Sequence, residues 1–192
     1  FLLAKILMVG SEAAPWAKTG GLGDVLGALP PALVARGHEV MTLLPAYGNV
    51  VPEGARTVFH DLPIGVGPGG THHCSIARFD HNGAGYLFLM CPGLFGRDGI
   101  YGDKYGDFGD NHIRYAVLSR AAFAVATGLW RPDIFHCHDW QGALVPIYQR
   151  TTFANDPAFS GIKSVLTIHN LGYQGRFNAR LVAETGLIPA MV

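Results

Sequence analysis

Apolar runs end in polar clusters at three places along the chain. Lys5–Val9 runs into a glycine-rich loop, 132–137 runs into a His-Asp-Trp string, and 163–168 runs into a His-Asn pair. Short continuous apolar runs of this kind predict buried strands. In an open parallel sheet, ligands bind beyond the carboxyl ends of the strands. We therefore expect the segments 10–24, 138–140 and 169–174 to line one crevice.

Helical spacing of apolar residues alternates with these strands. The segment 24–36 predicts a first helix, which Pro30 and Pro31 are expected to kink or restart. A second strand at 39–44 completes a β-loop-α-β unit, which is typical of a parallel sheet. Further helical segments are predicted at 111–128, 141–150 and 179–185.

The middle of the chain has a different pattern. The segments 57–62, 71–79 and 85–90 predict strands, with a hairpin turn at His81-Asn82-Gly83. The stretch 92–109 is rich in Gly, Asp and Tyr and predicts a long ordered loop. The pattern as a whole predicts an α/β fold around a mostly parallel sheet.

Composition narrows the function classes. A chain of 192 residues is long enough for one α/β domain and short for two. Hydrophobic residues make up 49% and charged residues 15%, which excludes intrinsic disorder. Lys and Arg (14) balance Asp and Glu (14), so the basic surplus of a nucleic-acid binder is missing. No apolar run approaches the length of a membrane span, so we expect neither a nucleic-acid nor a membrane partner.

The cysteines and the chain ends add two expectations. Cys74, Cys91 and Cys137 form neither a CxxC pair nor a disulfide framework, which favours a reducing cytoplasm. The chain has no initiating Met and stops at Pro189-Ala190-Met191-Val192 without a polar tail. We expect a truncated chain.

The string Lys18-Thr19-Gly20-Gly21-Leu22-Gly23-Asp24 is the first candidate site. Its glycines allow backbone N–H groups to approach a ligand, the following helix offers its positive end, and Lys18 adds a charge suited to phosphate. The alternative is a plain helix entry capped by Asp24. The string is neither a P-loop nor a dinucleotide fingerprint, which argues against an epimerase with a bound dinucleotide.

Histidines mark the other two clusters. His136 and His138 share one face of a strand, but no further ligand at a suitable spacing accompanies them, so we expect no metal. The alternative is a core His136, with Asp139 and Trp140 facing the cleft to hold a sugar by carboxylate and ring. His169 either contacts a substrate at a reacting centre or belongs to a turn with Asn170.

Five strings occur in order along nearly the whole chain: KILMVGSEAAPWAKTGGLGDV (5–25), LLPAY (43–47), WRPD (130–133), HCHDW (136–140) and TIHNLGYQG (167–175). Together they resemble the N-terminus of bacterial glycogen synthase and plant starch synthase. The resemblance implies a retaining glucosyltransferase that moves glucose from ADP-glucose to the non-reducing end of an α-1,4-glucan, without a metal or other cofactor. It also implies two Rossmann-like, doubly wound domains of the GT-B type. Residues 1–192 would be the truncated N-terminal one, on the acceptor side of the cleft, and the C-terminal nucleotide-binding domain would be absent.

The resemblance also implies roles for single residues. Lys18 and the backbone of Gly20 and Gly21 would lie near the donor phosphates, and Asp24 near the nucleotide or sugar. His169 would be at the reacting centre, with Asp139 as the second catalytic residue. The remaining substrate-binding residues would be Tyr101, Trp140, Asn170, Tyr173 and Gln174.

Two hypotheses stay open for the chain as given. It is either half of a glucan synthase, inactive without its C-terminal domain, or a non-catalytic glucan-binding module of the same fold. Glucan affinity without turnover would be common to both, and an intact transferase would show turnover.

Overall fold

A computed structural model describes residues 3–188. Phe1, Leu2 and the segment 189–192, on which part of the expected truncation rests, lie outside it. In chain order the elements are β1 (Lys5–Val9), α1 (Gly21–Val34), β2 (Glu39–Pro45), β3 (Arg56–Gly65), β4 (Thr71–His81), β5 (Ala84–Met90), α2 (Pro92–Phe95), β6 (Gly102–Asp103), β7 (Gly106–Asp107), α3 (Asn111–Gly128), β8 (Ile134–His138), α4 (Asp139–Gly142), α5 (Leu144–Arg150) and β9 (Lys163–Thr167). Short 3-10 turns lie at Tyr47–Asn49, Gly67–Gly69, Pro157–Phe159 and Ala179–Thr185.

One seven-stranded sheet organises these elements, in the order β3-β4-β5-β2-β1-β8-β9. The pairings from β5 to β9 are parallel, and β3–β4 and β4–β5 are antiparallel. The predicted fold class, a doubly wound and mostly parallel α/β sheet, is confirmed. The hairpin turn between β4 and β5 is also confirmed, with Asn82 and Gly83 both at positive φ.

Both faces of the sheet are covered at its centre, as the continuous apolar strands require, whereas Val165 and Leu166 of the edge strand β9 are exposed. Leu7 and Val9 of β1 pack into the core cluster that contains α3. Ile6 and Met8, which point the other way, pack into the cluster that contains Leu26 of α1. The core therefore consists of two layers separated by the sheet.

The helix α1 corrects one prediction. It runs uninterrupted from Gly21 to Val34 through Pro30 and Pro31, which were expected to kink or restart it. Proline at position 30 has no N–H to donate to the carbonyl of Leu26. The hydroxyl of Tyr86 on β5 donates to that carbonyl instead, at 3.4 Å. This tertiary contact compensates for the missing helical hydrogen bond.

Several predicted boundaries also differ. The helix expected at 141–150 is divided into α4 and α5, and the piece at 179–185 is a 3-10 turn. The stretch 92–109 contains the short α2 and the two-residue strands β6 and β7. It is held to α3 by Arg114, which is fully buried and donates to the carbonyls of Leu94 and Ile100, each at 2.8 Å. The loop is therefore ordered by the buried Arg114 of α3, a residue outside the loop itself.

The cysteines are all buried thiols, and no disulfide joins them in the described part of the chain.

Candidate functional site

The three polar clusters follow neighbouring strands. β8 lies between β1 and β9, with Val9 opposite Cys137 and His138 opposite Thr167. All three strands are parallel, so their carboxyl ends meet at one edge of the sheet. The segments that begin at Gly10, Asp139 and Ile168 are therefore adjacent, as the crevice hypothesis requires.

Asp139 and His169 are in direct contact. The backbone N–H of His169 donates to Asp139 Oδ1 at 2.7 Å. Asp139 itself adopts a left-handed backbone (φ 52°), an uncommon conformation for a residue other than glycine. Asp139 is thus held in a sharp turn at the end of β8, where its carboxylate anchors the segment after β9.

Three imidazoles line this edge of the sheet. The rings of His136 and His138 are 4.2 Å apart between centroids, and those of His138 and His169 are 5.3 Å apart and nearly parallel. His136 Nε2 bonds to Thr167 Oγ1 at 2.8 Å, and His138 Nδ1 bonds to His169 Nε2 at 2.9 Å. One hydrogen bond thus joins the rings of His138 and His169, and His136 bonds to Thr167 instead. In residues 3–188, no group of three or more side chains is arranged to hold a metal ion.

Burial disfavours the charged forms of His136 and His138. Burial of His138, together with the positive charges that His136 and His169 can carry, lowers the pKa of His138 to about 3. Burial and His169 likewise lower the pKa of His136. His138 is therefore neutral near pH 7 and forms hydrogen bonds only as an uncharged imidazole.

Glu12 joins two loops of the site. Its buried carboxylate accepts hydrogen bonds from Thr19 N (2.7 Å), Thr19 Oγ1 (2.8 Å), Gly20 N (3.2 Å) and the hydroxyl of Tyr101. Burial alone would raise the pKa of Glu12, but these hydrogen bonds together hold it below its usual 4.5. An ionised Glu12 thus fixes the loop 18–20 against the loop that carries Tyr101.

Lys18 and Asp24 form an exposed ion pair. Lys18 Nζ lies 2.6 Å from Asp24 Oδ1, and both side chains are about half exposed or more. Gly20 is the residue before α1 and Gly21 is its first residue, so Asp24 lies in the first turn and does not cap the helix. The alternative of an Asp24 cap is therefore wrong. Exposed pairs of this kind contribute about 0–1 kcal/mol, so a ligand can replace either partner at little cost.

Gly20 and Gly21 are open to solvent. A Cβ atom built on either glycine meets no atom within 4 Å, and neither has a positive φ. At Gly23, by contrast, a Cβ would lie 2.9 Å from the Lys18 side chain and 3.2 Å from the carbonyl of Ala17. Packing therefore explains the glycine at 23 but not those at 20 and 21.

Two of the expected sugar-binding aromatics point into the protein. The Tyr101 hydroxyl contacts Glu12 and lies 2.8 Å from Ser11 Oγ. The Trp140 ring packs edge-on to Tyr115 at 5.0 Å. A Cβ on Gly175 would come within 2.4 Å of the Trp140 ring, so the backbone of the segment after β9 lies against it. Both aromatics order the site from inside.

The remaining candidates lie on the exposed segment after His169. Asn170 Oδ1 accepts from Gly172 N at 2.8 Å, and Gln174 Nε2 donates to the carbonyl of Leu171 at 2.8 Å. Tyr173 is 75% exposed. The turn that was the alternative for Asn170 is present, and it displays Tyr173 towards solvent.

The sequence model of the starch synthase catalytic domain family matches residues 5–191. The chain belongs to this family. A glycogen synthase of Koribacter versatilis is 43% identical over 180 residues, covering 92% of this chain and 37% of the relative. A glycogen synthase 2 of Geobacter metallireducens is 42% identical over 194 residues, covering 97% and 39%.

The fold agrees with that membership. The catalytic domain of Starch Synthase IV from Arabidopsis thaliana, solved bound to ADP and acarbose, matches with a TM-score of 0.78 and 30% identity. The match covers 97% of this chain and 38% of that one. This starch synthase family domain thus spans less than two fifths of the length of these relatives. No helix in residues 3–188 is long and apolar enough to cross a membrane.

Sequence reasoning missed two residues of the site. The sequence pattern assigns no role to Glu12, and it brings in His138 only as a metal ligand together with His136, an interpretation that it does not favour. A signal existed for His138, since it directly precedes Asp139 at the end of an apolar strand. None existed for Glu12, because its partner Tyr101 is 89 residues away.

Proposed function

We propose that this chain forms one wall of the transfer site of a retaining α-1,4-glucan synthase that takes glucose from ADP-glucose. The family and the relatives named glycogen synthase support the reaction. The relative solved with ADP and acarbose supports a nucleoside diphosphate as part of the donor. The opposite wall would come from a C-terminal nucleotide-binding domain beyond this chain, since residues 1–192 form a single N-terminal domain in this proposal.

The observation that carries the proposal is the open backbone at Gly20 and Gly21. Gly21 is the first residue of α1, where glycine costs up to about 1 kcal/mol relative to alanine, and Gly20 precedes the helix in an extended conformation. Neither packing nor a positive φ requires glycine at either position. A group that approaches from outside the protein does explain it. The N–H groups of the first helical turn have no partner within the helix and suit a diphosphate.

The chemistry follows from charge. When ADP leaves, negative charge develops on the phosphate that held the glucose, and fixed positive groups stabilise it. Lys18 and the N-terminus of α1 supply such groups on this wall, once Lys18 leaves Asp24 for the phosphate. Asp24 would then be available to the nucleotide or the sugar. A second domain is needed to exclude water, because each contact is weak in a wet cleft.

The sugar would lie beside the contact between His169 and Asp139. We propose these two as the catalytic residues, with Asn170, Tyr173 and Gln174 on the exposed segment as contacts to glucan hydroxyls. Trp140 and Tyr101, which face inward, would shape the floor of the site. The reaction needs no metal in this proposal, and the protein would work in the cytoplasm.

The test is glucosyl transfer from ADP-glucose to glycogen, with UDP-glucose as a second donor. Two proteins are compared: this chain alone, and a longer form that continues to the length of the relatives. We expect transfer by the longer form only. In it, Lys18→Ala and His169→Ala should reduce transfer at least about tenfold. The matched controls are Lys104→Ala, at an exposed lysine, and His72→Ala, at a histidine on β4 remote from the site. Both controls should leave transfer unchanged.

Other outcomes decide against the proposal. Transfer by the short chain would mean that the donor site is complete within residues 1–192. Glycogen binding without transfer by either protein would favour the non-catalytic glucan-binding module. Transfer by the longer form that is insensitive to Lys18→Ala would remove this wall from the donor site.

A further inference from the structure

His138 is a buried histidine with only one satisfied nitrogen. Its side chain is fully buried, and its Nδ1 lies 2.9 Å from His169 Nε2. Its Nε2 is also buried and has no hydrogen-bond partner among the described residues. Because a neutral imidazole has one N–H and one lone pair, the two nitrogens cannot be equivalent here.

The unpaired nitrogen decides where the proton is. If Nε2 of His138 carried the proton, a buried N–H donor would have no acceptor, which is rare and costly in folded proteins. If Nε2 carries the lone pair, only a weak acceptor is left unpaired, which is tolerated more often. The proton of His138 is therefore on Nδ1, and Nδ1–H donates to His169 Nε2.

This hydrogen bond also determines which nitrogen of the exposed His169 ring carries the proton. His169 Nε2 accepts, so the neutral His169 carries its proton on Nδ1. We propose that His138 is a positioning residue that fixes the tautomer of His169, so that His169 presents an N–H donor at Nδ1. His169 thereby offers the site a hydrogen-bond donor and no unprotonated ring nitrogen.

Other neighbours do not fix this tautomer. Asp139 accepts from the backbone N–H of His169. His136 is bonded to Thr167 Oγ1. Among the described residues, the hydrogen bond to the ring of His169 comes from His138.

The consequence for chemistry rests on the proposed function. At a glucosyl-transfer site, an N–H donor at His169 would bind a sugar hydroxyl or stabilise developing negative charge, and it would not remove a proton. The tautomer itself is a property of this chain and is measured without any transfer assay. Failure of one proposal is therefore distinguishable from failure of the other.

The experiment is long-range ¹H–¹⁵N correlation spectroscopy of the histidine rings of the 192-residue chain at pH 7.5. We expect the ¹⁵N shift of His169 Nε2 to be that of an unprotonated nitrogen and the shift of Nδ1 to be that of an N–H. In His138→Phe, which keeps a ring but no donor, His169 should shift to the tautomer mixture of an unconstrained imidazole. In His138→Asn, whose side-chain amide can donate from the same place, it should keep the Nδ1–H form.

The matched control is His136→Phe, on the same strand face, which should leave the His169 signals unchanged. A wild-type spectrum with the proton on His169 Nε2 would overturn the proposal, and so would an unchanged His169 tautomer in His138→Phe. If His138→Phe does not fold, the wild-type spectrum and His138→Asn still decide the question.

Discussion

The backbone N–H of His169 donates a 2.7 Å hydrogen bond to Asp139 Oδ1. The two residues are 30 positions apart in sequence and follow neighbouring parallel strands, β8 and β9. In this position Asp139 adopts a strained, left-handed backbone conformation (φ 52°). The hydrogen bond therefore anchors the segment after β9 to the end of β8.

Removing the acceptor should release that segment. In Asp139→Gly the backbone strain is relieved but the carboxylate is lost, whereas Asp139→Asn keeps an oxygen at the same place and tolerates the left-handed conformation. A hydrogen bond to a charged group contributes about 1.5–3 kcal/mol. We therefore expect amide exchange at His169 to accelerate about tenfold or more in Asp139→Gly and much less in Asp139→Asn. Equal protection in wild type and Asp139→Gly would show that the bond does not hold the segment.

Gly175 should tolerate no side chain. A Cβ there would lie 2.4 Å from the Trp140 ring, and the residue has φ 59°. Gly175→Ala should therefore displace either Trp140 or the segment, at a cost of about 1–3 kcal/mol in the free energy of unfolding. Urea unfolding gives the cost, and the indole N–H signal of Trp140 reports the displacement. Gly172→Ala is the control: its Cβ would meet only the Asn170 side chain, at 3.1 Å, and its φ is not positive. Similar destabilisation by both variants would argue against the close packing on Trp140.

Alanine at 20, 21 and 23 should separate binding from folding. Gly21→Ala should raise the free energy of unfolding by up to about 1 kcal/mol, because it replaces glycine in a helix and meets no atom. Gly20→Ala meets no atom and should fold, at a cost of less than about 1 kcal/mol because alanine is a poorer N-cap than glycine. Gly23→Ala should be destabilised by its contacts with Lys18 and Ala17. Thermal unfolding of the chain measures these effects. In the longer form, Gly20→Ala and Gly21→Ala should reduce transfer although they fold. Unreduced transfer would contradict the role of their open backbone.

The strand segments along the chain and the polar clusters that follow three of them could be predicted from sequence, because both depend on local patterns of apolar and polar residues. The continuity of α1 could not, since the Tyr86 hydroxyl that accommodates Pro30 comes from 60 residues away. The same limit applies inside the site. The string around Lys18 was identifiable by its glycines, but the carboxylate that orders it, Glu12, gains its role from the Tyr101 loop, which only the fold brings near.

Ionised Glu12 should stabilise the fold at neutral pH. Its pKa in the folded protein lies below the ordinary 4.5, so the folded state releases this proton more readily than the unfolded state does. The stabilisation is then fully present above about pH 4.5 and is lost as the pH falls through the folded pKa. In Glu12→Gln, which keeps the shape but not the charge, this pH dependence should be absent. Urea unfolding at pH 7, 5 and 3 should show the wild-type advantage shrinking only at the lowest pH. A difference that stays constant across this range would mean that the charge of Glu12 does not matter for stability.

The buried histidine should make the chain lose stability already below pH 6.5. The folded-state pKa of His138 is about 3, against an ordinary value of 6.5, so the unfolded chain binds a proton that the folded chain refuses between these limits. Stability is therefore highest above pH 6.5 and falls as the pH drops towards 3, by at most about 1.4 kcal/mol per pH unit for one such group. His136, whose pKa is also lowered, adds to the slope of stability against pH.

The experiment compares the wild type with His138→Asn, which does not titrate at this position. The neighbouring His169 and Asp139 are present in both proteins. Between pH 7 and pH 5 the wild type should lose about 2 kcal/mol more than His138→Asn in urea unfolding, because about 1.5 pH units of that interval lie below 6.5. Parallel losses in the two proteins would show that His138 takes up its proton in the folded state as readily as in the unfolded one, against the burial that sets its neutral form.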